Sequence, residues 1–202
     1  MRKNPKQKRS KEMVNRLLDA TARTLIERGL DNTTTNHIAE QAGVSIGSLY
    51  QYFPDKDALV VALLERMSVD ARKRFRSRAE GVDLHQLPLK QVAELAIAYG
   101  INYIVKDPLT MELVKNWNRV PIEKLLDPLV IFFLTMAQPY FLKNYANYPV
   151  EGLETKLYVL INSTLFTCIR FLMDENSLIK QEDIVATLAQ MIVLLLEDNA
   201  AR

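Results

Sequence analysis

The stretch Thr33 to Lys56, TTTNHIAEQAGVSIGSLYQYFPDK, constrains this chain more than any other. It predicts two short helices at a steep angle, joined by a turn that a glycine permits. Ile38 and Ala39 give the first helix an apolar face, and Ala39 is small where two helices cross closely. Gly43 can take the positive φ that stops a helix sharply, and Val44 drops a side chain into the corner. Ser45 can cap the second helix, whose Leu49 and Phe53 then meet the first. That is a helix-turn-helix. The outward residues of the second helix, Ile46, Gly47, Ser48, Tyr50 and Tyr52, are small, polar or aromatic and carry no charge. Such a face suits a major groove, where base edges are read by hydrogen bonds and thymine methyls by apolar contact.

The same residues carry a resemblance. Thr34-Thr35, Ile38-Ala39, the AGVS turn, Gly47-Ser48-Leu49-Tyr50, Tyr52-Phe53 and Lys56 resemble the DNA-binding domain of the TetR/AcrR repressor family. The dense match covers about two dozen positions, and the resemblance implies a similar helix layout through the whole chain. That family often has Lys, or another polar residue, where this chain has Ile46, a departure that bears on operator preference. The resemblance implies a ligand-responsive DNA-binding regulator, a repressor released from its operator by a small hydrophobic or amphiphilic effector.

Around this stretch the chain reads in order. Residues 1–11 hold six Lys and Arg with no apolar periodicity, a solvated tail or an arm that orders on phosphate or in the minor groove. Val14, Leu17, Leu18, Ala22, Leu25 and Ile26 form one helix face from about Ser10 to Arg28, with Gly29 as the stop. Thr34 or Thr35, at the start of the next helix, can cap it or place a hydroxyl where a phosphate docks. Pro54 ends the second helix of the motif. Asp55 can cap a long helix with Lys56 in its first turn, a cation that opposes the helix dipole but suits a nearby phosphate. This helix continues through ARKRFRSRAE, read as a solvated face or a pairing surface. The expected domains are a DNA-binding domain over 1–54 with its basic arm, a connecting helix over 55–80, and a ligand-binding and dimerisation domain over 81–202.

Charge divides the same way. Residues 1–80 hold 16 Lys and Arg against 10 Asp and Glu, and residues 81–202 hold 10 against 14. A basic front and an acidic rear suit a nucleic-acid reader joined to something that avoids nucleic acid. Six glycines, 49% apolar residues and little β-alternation argue for an all-α chain. One cysteine, Cys168, excludes an intrachain disulfide framework. The two histidines and the cysteine lack metal-ligand spacing. No glycine-rich phosphate loop and no nucleophile beside a base is present, so neither a cofactor nor an enzymatic role is expected. The apolar runs at 128–137 and 184–196 are short for a bilayer, and no secretory signal pattern follows the basic start. The expected location is the cytoplasm, with no membrane partner.

The rear domain predicts five helices, at about 88–106, 108–117, 121–146, 151–175 and 180–197. The last two are nearly continuous in apolar residues, more than core burial alone needs. Leu157, Leu160, Ile161, Thr164 and Cys168, with Leu188, Met191, Ile192 and Leu195, form stripes expected to pair with a second copy in a four-helix bundle. Pro128 and Pro139 inside the third helix predict kinks. Around them fall Tyr99, Tyr103, Met111, Trp117, Phe133, Met136 and Phe166, expected to line a pocket, with Arg119 and Arg170 as nearby cations. Each aromatic could instead be ordinary core.

One recognition helix reads about six base pairs at most, so the expected partner is double-stranded DNA bearing an inverted-repeat operator, bound by a homodimer. The expected contacts are Thr34, Thr35, Ser45, Ile46, Gly47, Ser48, Tyr50, Tyr52 and Lys56. The competing reading is a DNA-bound structural or division-associated factor without a small-molecule ligand.

Overall fold

The computed structural model describes residues 5–144, 150–174 and 178–197, so the first four residues of the basic arm lie outside it. Among the described residues there is no strand. Nine α-helices follow one another: α1 (Pro5–Asn32), α2 (Thr35–Ala42), α3 (Ile46–Tyr50), α4 (Lys56–Glu80), α5 (Leu89–Lys106), α6 (Pro108–Lys115), α7 (Glu123–Asn144), α8 (Leu153–Met173) and α9 (Gln181–Glu197). Helix α1 starts earlier than its apolar stripe. Lys, Gln and Arg are good helix formers, so the helix begins at Pro5 although residues 8–12 are exposed. Gly29 interrupts α1 as expected, with φ 72° and ψ 171°. Helix α7 runs through both Pro128 and Pro139.

The chain forms two compact units. The front unit holds residues up to Val69 together with Asp107–Leu125; the rear unit holds Asp70–Lys106 and the described residues from Leu126 onward. The sequence reading starts the rear domain at residue 81, whereas these units divide inside α4, and α6 groups with the front one. Polar bonds from α6 to the end of α1, described below, explain that grouping.

The front core is aliphatic. Leu17 and Leu25 of α1, Ile38 of α2, Leu49 of α3, and Leu59, Leu63 and Leu64 of α4 are wholly enclosed. Thr21 and Thr24 are buried too, and each donates to the carbonyl four residues earlier, at Leu17 and Ala20, both at 2.8 Å. No buried hydroxyl is thereby left unanswered on that face of α1.

In the rear unit α5 carries Ala93, Ile97 and Ile101 into a cluster with Cys168 of α8 and Leu188 and Ala189 of α9. A second cluster joins Leu89, Tyr140, Phe141, Leu157, Leu160 and Leu196. Burial pushes the Cys168 thiol up to about 11, so it is protonated packing at neutral pH and a poor nucleophile. Helices α7 and α8 are long and apolar enough to cross a bilayer by length and composition, yet their most apolar windows are 39% and 22% buried here. Helix α8 therefore carries much apolar surface that its own unit does not cover.

Candidate nucleic-acid interface

The helix-turn-helix is assembled from local bonds. Thr34, extended at φ −123°, caps α2 by accepting the His37 N–H. At the other end Gly43 is left-handed, with φ 62° and ψ 42°. Its N–H bonds Glu40 O at 2.9 Å and the Val44 N–H bonds Ala39 O at 3.0 Å, which closes the helix and swings the chain away. Ser45 then caps α3, accepting the Ser48 N–H at 3.1 Å and pairing with Ser48 Oγ at 2.8 Å. Helix α3 ends at Tyr50, although the Phe53 N–H still reaches Leu49 O at 3.0 Å, so Tyr52 stands on a turn rather than on helix. Asp55 caps α4 through the Ala58 N–H at 2.7 Å.

The outward face is accessible. Tyr50 and Tyr52 are 50% and 36% exposed. Tyr50 OH meets Thr35 Oγ1 at 3.1 Å, which ties the end of α3 to the start of α2 and sets two hydroxyls side by side. Gly47 faces open space: an added Cβ would meet only Ser45 Oγ, at 4.0 Å. Internal packing does not demand glycine there. Thr34 is exposed, and Ile46 is half-buried.

Lys56 is placed differently from its reading as a free phosphate ligand. Its Nζ donates to Leu30 O at 3.1 Å, so one of its three protons is committed within the chain. The same Leu30 peptide is held at its other end, where its N–H bonds Glu112 Oε1 of α6 at 2.9 Å. Gly29 breaks the helix just before it and frees that N–H. Arg119 forms a two-pronged ion pair with Asp31 on the next residue. That bond and the guanidinium charge, with Lys56 adding to them, hold the Asp31 carboxyl below the usual range. Arg16 donates to Gly43 O at 3.2 Å and steadies the α2–α3 corner. Residues 82 and 88 positions apart carry the Glu112 and Arg119 bonds, and no local pattern in the sequence announces them.

The rear unit divides the expected pairing residues between its core and its surface. Leu157, Leu160, Cys168 and Leu188 are at most 7% exposed and fill the unit's own core. Ile161, Met191 and Ile192 are partly buried and pack against those clusters. Thr164 is half-buried, and its Oγ1 is enclosed without a hydrogen-bond partner among the described residues. Of the proposed pairing residues, Leu195 is exposed, and with Leu160 and Met191 it lines an open groove of about 740 Å³ that also passes Val159, Ser163, Gln190 and Leu194. The most exposed apolar side chains on these two helices are Tyr158 (57% exposed), Leu194, Val159 and Phe166. Helix α8 is apolar on two sides, and the more aliphatic side went inward.

The expected pocket residues fall in both units. Met111 and Trp117 lie in the front unit, and Tyr99, Tyr103, Phe133 and Met136 in the rear one. Phe166 and Arg170 are exposed on α8, and Arg119 is engaged by Asp31. Tyr99 and Phe133 do converge, each edge-on to Phe75 with ring centroids 4.8 and 5.0 Å away. Phe75, in the basic run of α4, went unnoticed in the sequence because its neighbours are charged.

Residues 17–63 match the family model for bacterial regulatory proteins, tetR family. The HTH-type transcriptional regulator BetI of Burkholderia cenocepacia is 39% identical over 77 residues, 33% of this chain and 40% of that protein. The fatty acid metabolism regulator protein of Bacillus subtilis is 34% identical over 81 residues, 36% and 41% of the two chains. The matched segments thus span about two fifths of these relatives' length. The crystal structure of the transcriptional regulator FadR from Bacillus subtilis in complex with stearoyl-CoA superposes with a TM-score of 0.63 at 18% identity, over 90% of this chain and 96% of that one. At that identity the likeness is one of fold.

Proposed function

We propose that this chain, a member of the tetR family of bacterial regulators, is a ligand-responsive transcriptional repressor. It binds an inverted-repeat operator in double-stranded DNA as a homodimer and releases it when a small hydrophobic or amphiphilic effector enters the rear unit. The observation that carries the reading is the uncharged face of Gly47, Tyr50 and Tyr52, left open on a scaffold whose caps and core are otherwise complete. Tyr50 and Thr35 supply a paired hydroxyl for phosphate or base. Lys56 acts partly as a brace, with its remaining protons for the DNA backbone.

Dimerisation supplies the second recognition helix. The apolar surface left uncovered on α8 and α9 supports pairing through Tyr158, Val159, Leu194 and Leu195 rather than through the buried stripes. Tyr99, Tyr103, Phe133 and Met136 are the residues kept for the effector. The fold likeness to a regulator solved with stearoyl-CoA supports an effector with an apolar body. The setting is the cytoplasm, and the chemistry is binding without turnover.

Selection of duplexes from a random pool by the full chain tests the reading. The expected product is an inverted repeat with half-sites about one helical turn apart. Retention of all duplexes with equal affinity would reject sequence-specific control, and a single asymmetric half-site would reject the dimer.

A further inference from the structure

The distal part of α4 places five cations, Arg72, Lys73, Arg74, Arg76 and Arg78, within seven residues. Phe75 points inward between them. Its tip lies 3.6 Å from where a Cβ at Gly100 of α5 would stand, and its ring meets Tyr99 and Phe133 edge-on. The residues on either side of it turn to opposite flanks. The Arg74 guanidinium lies 5.8 Å from the centre of the Tyr103 ring on α5. The Arg76 guanidinium lies 5.9 Å from the centre of the Phe132 ring on α7. Two cations therefore lie over rings of the two helices beside Phe75, Tyr103 on α5 and Phe132 on α7, and ring contact narrows the positions they sample. Among the described residues the ion pairs engage Lys73 with Asp70 but none takes Arg74, Arg76 or Arg78.

We infer that this rim selects effectors with an anionic head, a carboxylate or a phosphate, on an apolar body. Arg74 and Arg76 hold the head, and the rings around Phe75 receive the first part of the body. The inference rests on the effector reading above and deepens it. A guanidinium presents a planar fork of donors that matches two oxygens of a carboxylate or phosphate. Stacking on a ring leaves that fork available at the ring's edge. Both arginines are exposed, so the attraction is screened and affinity falls with added salt. DNA is the less suitable anion. Arg74 stands 18 residues beyond Lys56 on the same helix, outside the helix-turn-helix.

The test compares dodecanoate, dodecyl phosphate and dodecyl maltoside, which share one alkyl chain, by calorimetry on the full-length chain below their micelle concentrations. The anionic pair is expected to bind at least about tenfold more tightly than the neutral maltoside, and whichever anion binds better identifies the head. The double variant Arg74→Ala, Arg76→Ala should weaken the anions by about 10- to 100-fold and leave the maltoside unchanged. The double lysine variant, which keeps the charge, should recover part of the loss and controls for folding. Equal affinity of the parent for all three would overturn the anionic head and leave an apolar effector standing. Full anion affinity in the alanine variant would overturn the two arginines as its holders. Loss of operator affinity in that variant without any amphiphile would assign the cations to DNA instead. Binding of none of the three would end both this inference and the amphiphilic effector.

Discussion

The α2–α3 face and the α8–α9 face both turn uncharged side chains outward, but their polar groups are treated differently. At α2–α3 each helix end is answered from within a few residues: Thr34 and Ser45 cap, Gly43 turns left-handed, and Asp55 starts the next helix. At α8–α9 the exposed surface is broader and more apolar, with Tyr158, Val159, Phe166 and Leu194 between 41% and 57% exposed. On α8 Thr164 Oγ1 is enclosed with no partner among the described residues, whereas Thr21, Thr24 and Thr135 bond the carbonyl four residues back. A face finished by its own chain is built to hold its shape before anything binds. A face left with bare apolar surface is the one that the proposed pairing would finish.

Substitutions on α9 break this contrast most severely. Leu188→Asp buries a charge among Ala93, Ile97 and Cys168 and should cost at least about 3 kcal/mol, seen as a large fall in Tm or loss of the folded chain. Leu194→Asp, six residues on but 56% exposed, should leave the helical spectrum and monomer stability intact while sedimentation shows a monomer. Operator affinity should then drop about 100-fold or more, since two linked half-site contacts become one. A dimer that survives Leu194→Asp would move the pairing surface elsewhere.

At the other face the expected effects are smaller and leave folding alone. Gly47→Ala has room for its methyl, so Tm should not change. Operator affinity should fall about tenfold, equal to about 1.4 kcal/mol, if DNA occupies that gap. Unchanged affinity by fluorescence anisotropy would mean that α3 does not approach the duplex there. The smallest effect belongs to Asp31→Asn. The Arg119 bond lowers the Asp31 carboxyl, so its contribution is present above the unfolded value of about 3.9 and is lost as pH falls through the lowered folded one. Both groups are fully exposed, so the Tm difference from the parent should be slight at pH 7. It should vanish in acid below the lowered value.

The sequence disclosed what is decided locally. Thr34, Gly43, Ser45 and Asp55 each act within five residues, and the nine helices follow from stripes and stops such as Gly29. It did not disclose which side of α8 turns inward, because both are apolar and only packing against α5 and α9 decides. Leu157 and Leu160 were therefore assigned to a partner and found in the core. Phe75 was hidden among arginines, and Glu112 and Arg119 reach across more than eighty residues to the end of α1. Periodicity cannot signal such contacts, because they join elements whose spacing along the chain is arbitrary.

The open space around Gly47 has a consequence for how such a protein can change over generations. Helix α3 anchors itself with one enclosed side chain, Leu49, and the residues that face outward touch little of the scaffold. On the proposed reading, folding and duplex recognition fall to different positions of the same five-residue helix. Replacing Gly47 would then alter which duplex is preferred at almost no cost to the fold, so a duplicated copy could drift to new target genes while its rear unit still answered the old signal. In the laboratory the same separation makes α3 a short cassette, open to randomisation without a search for compensating core mutations.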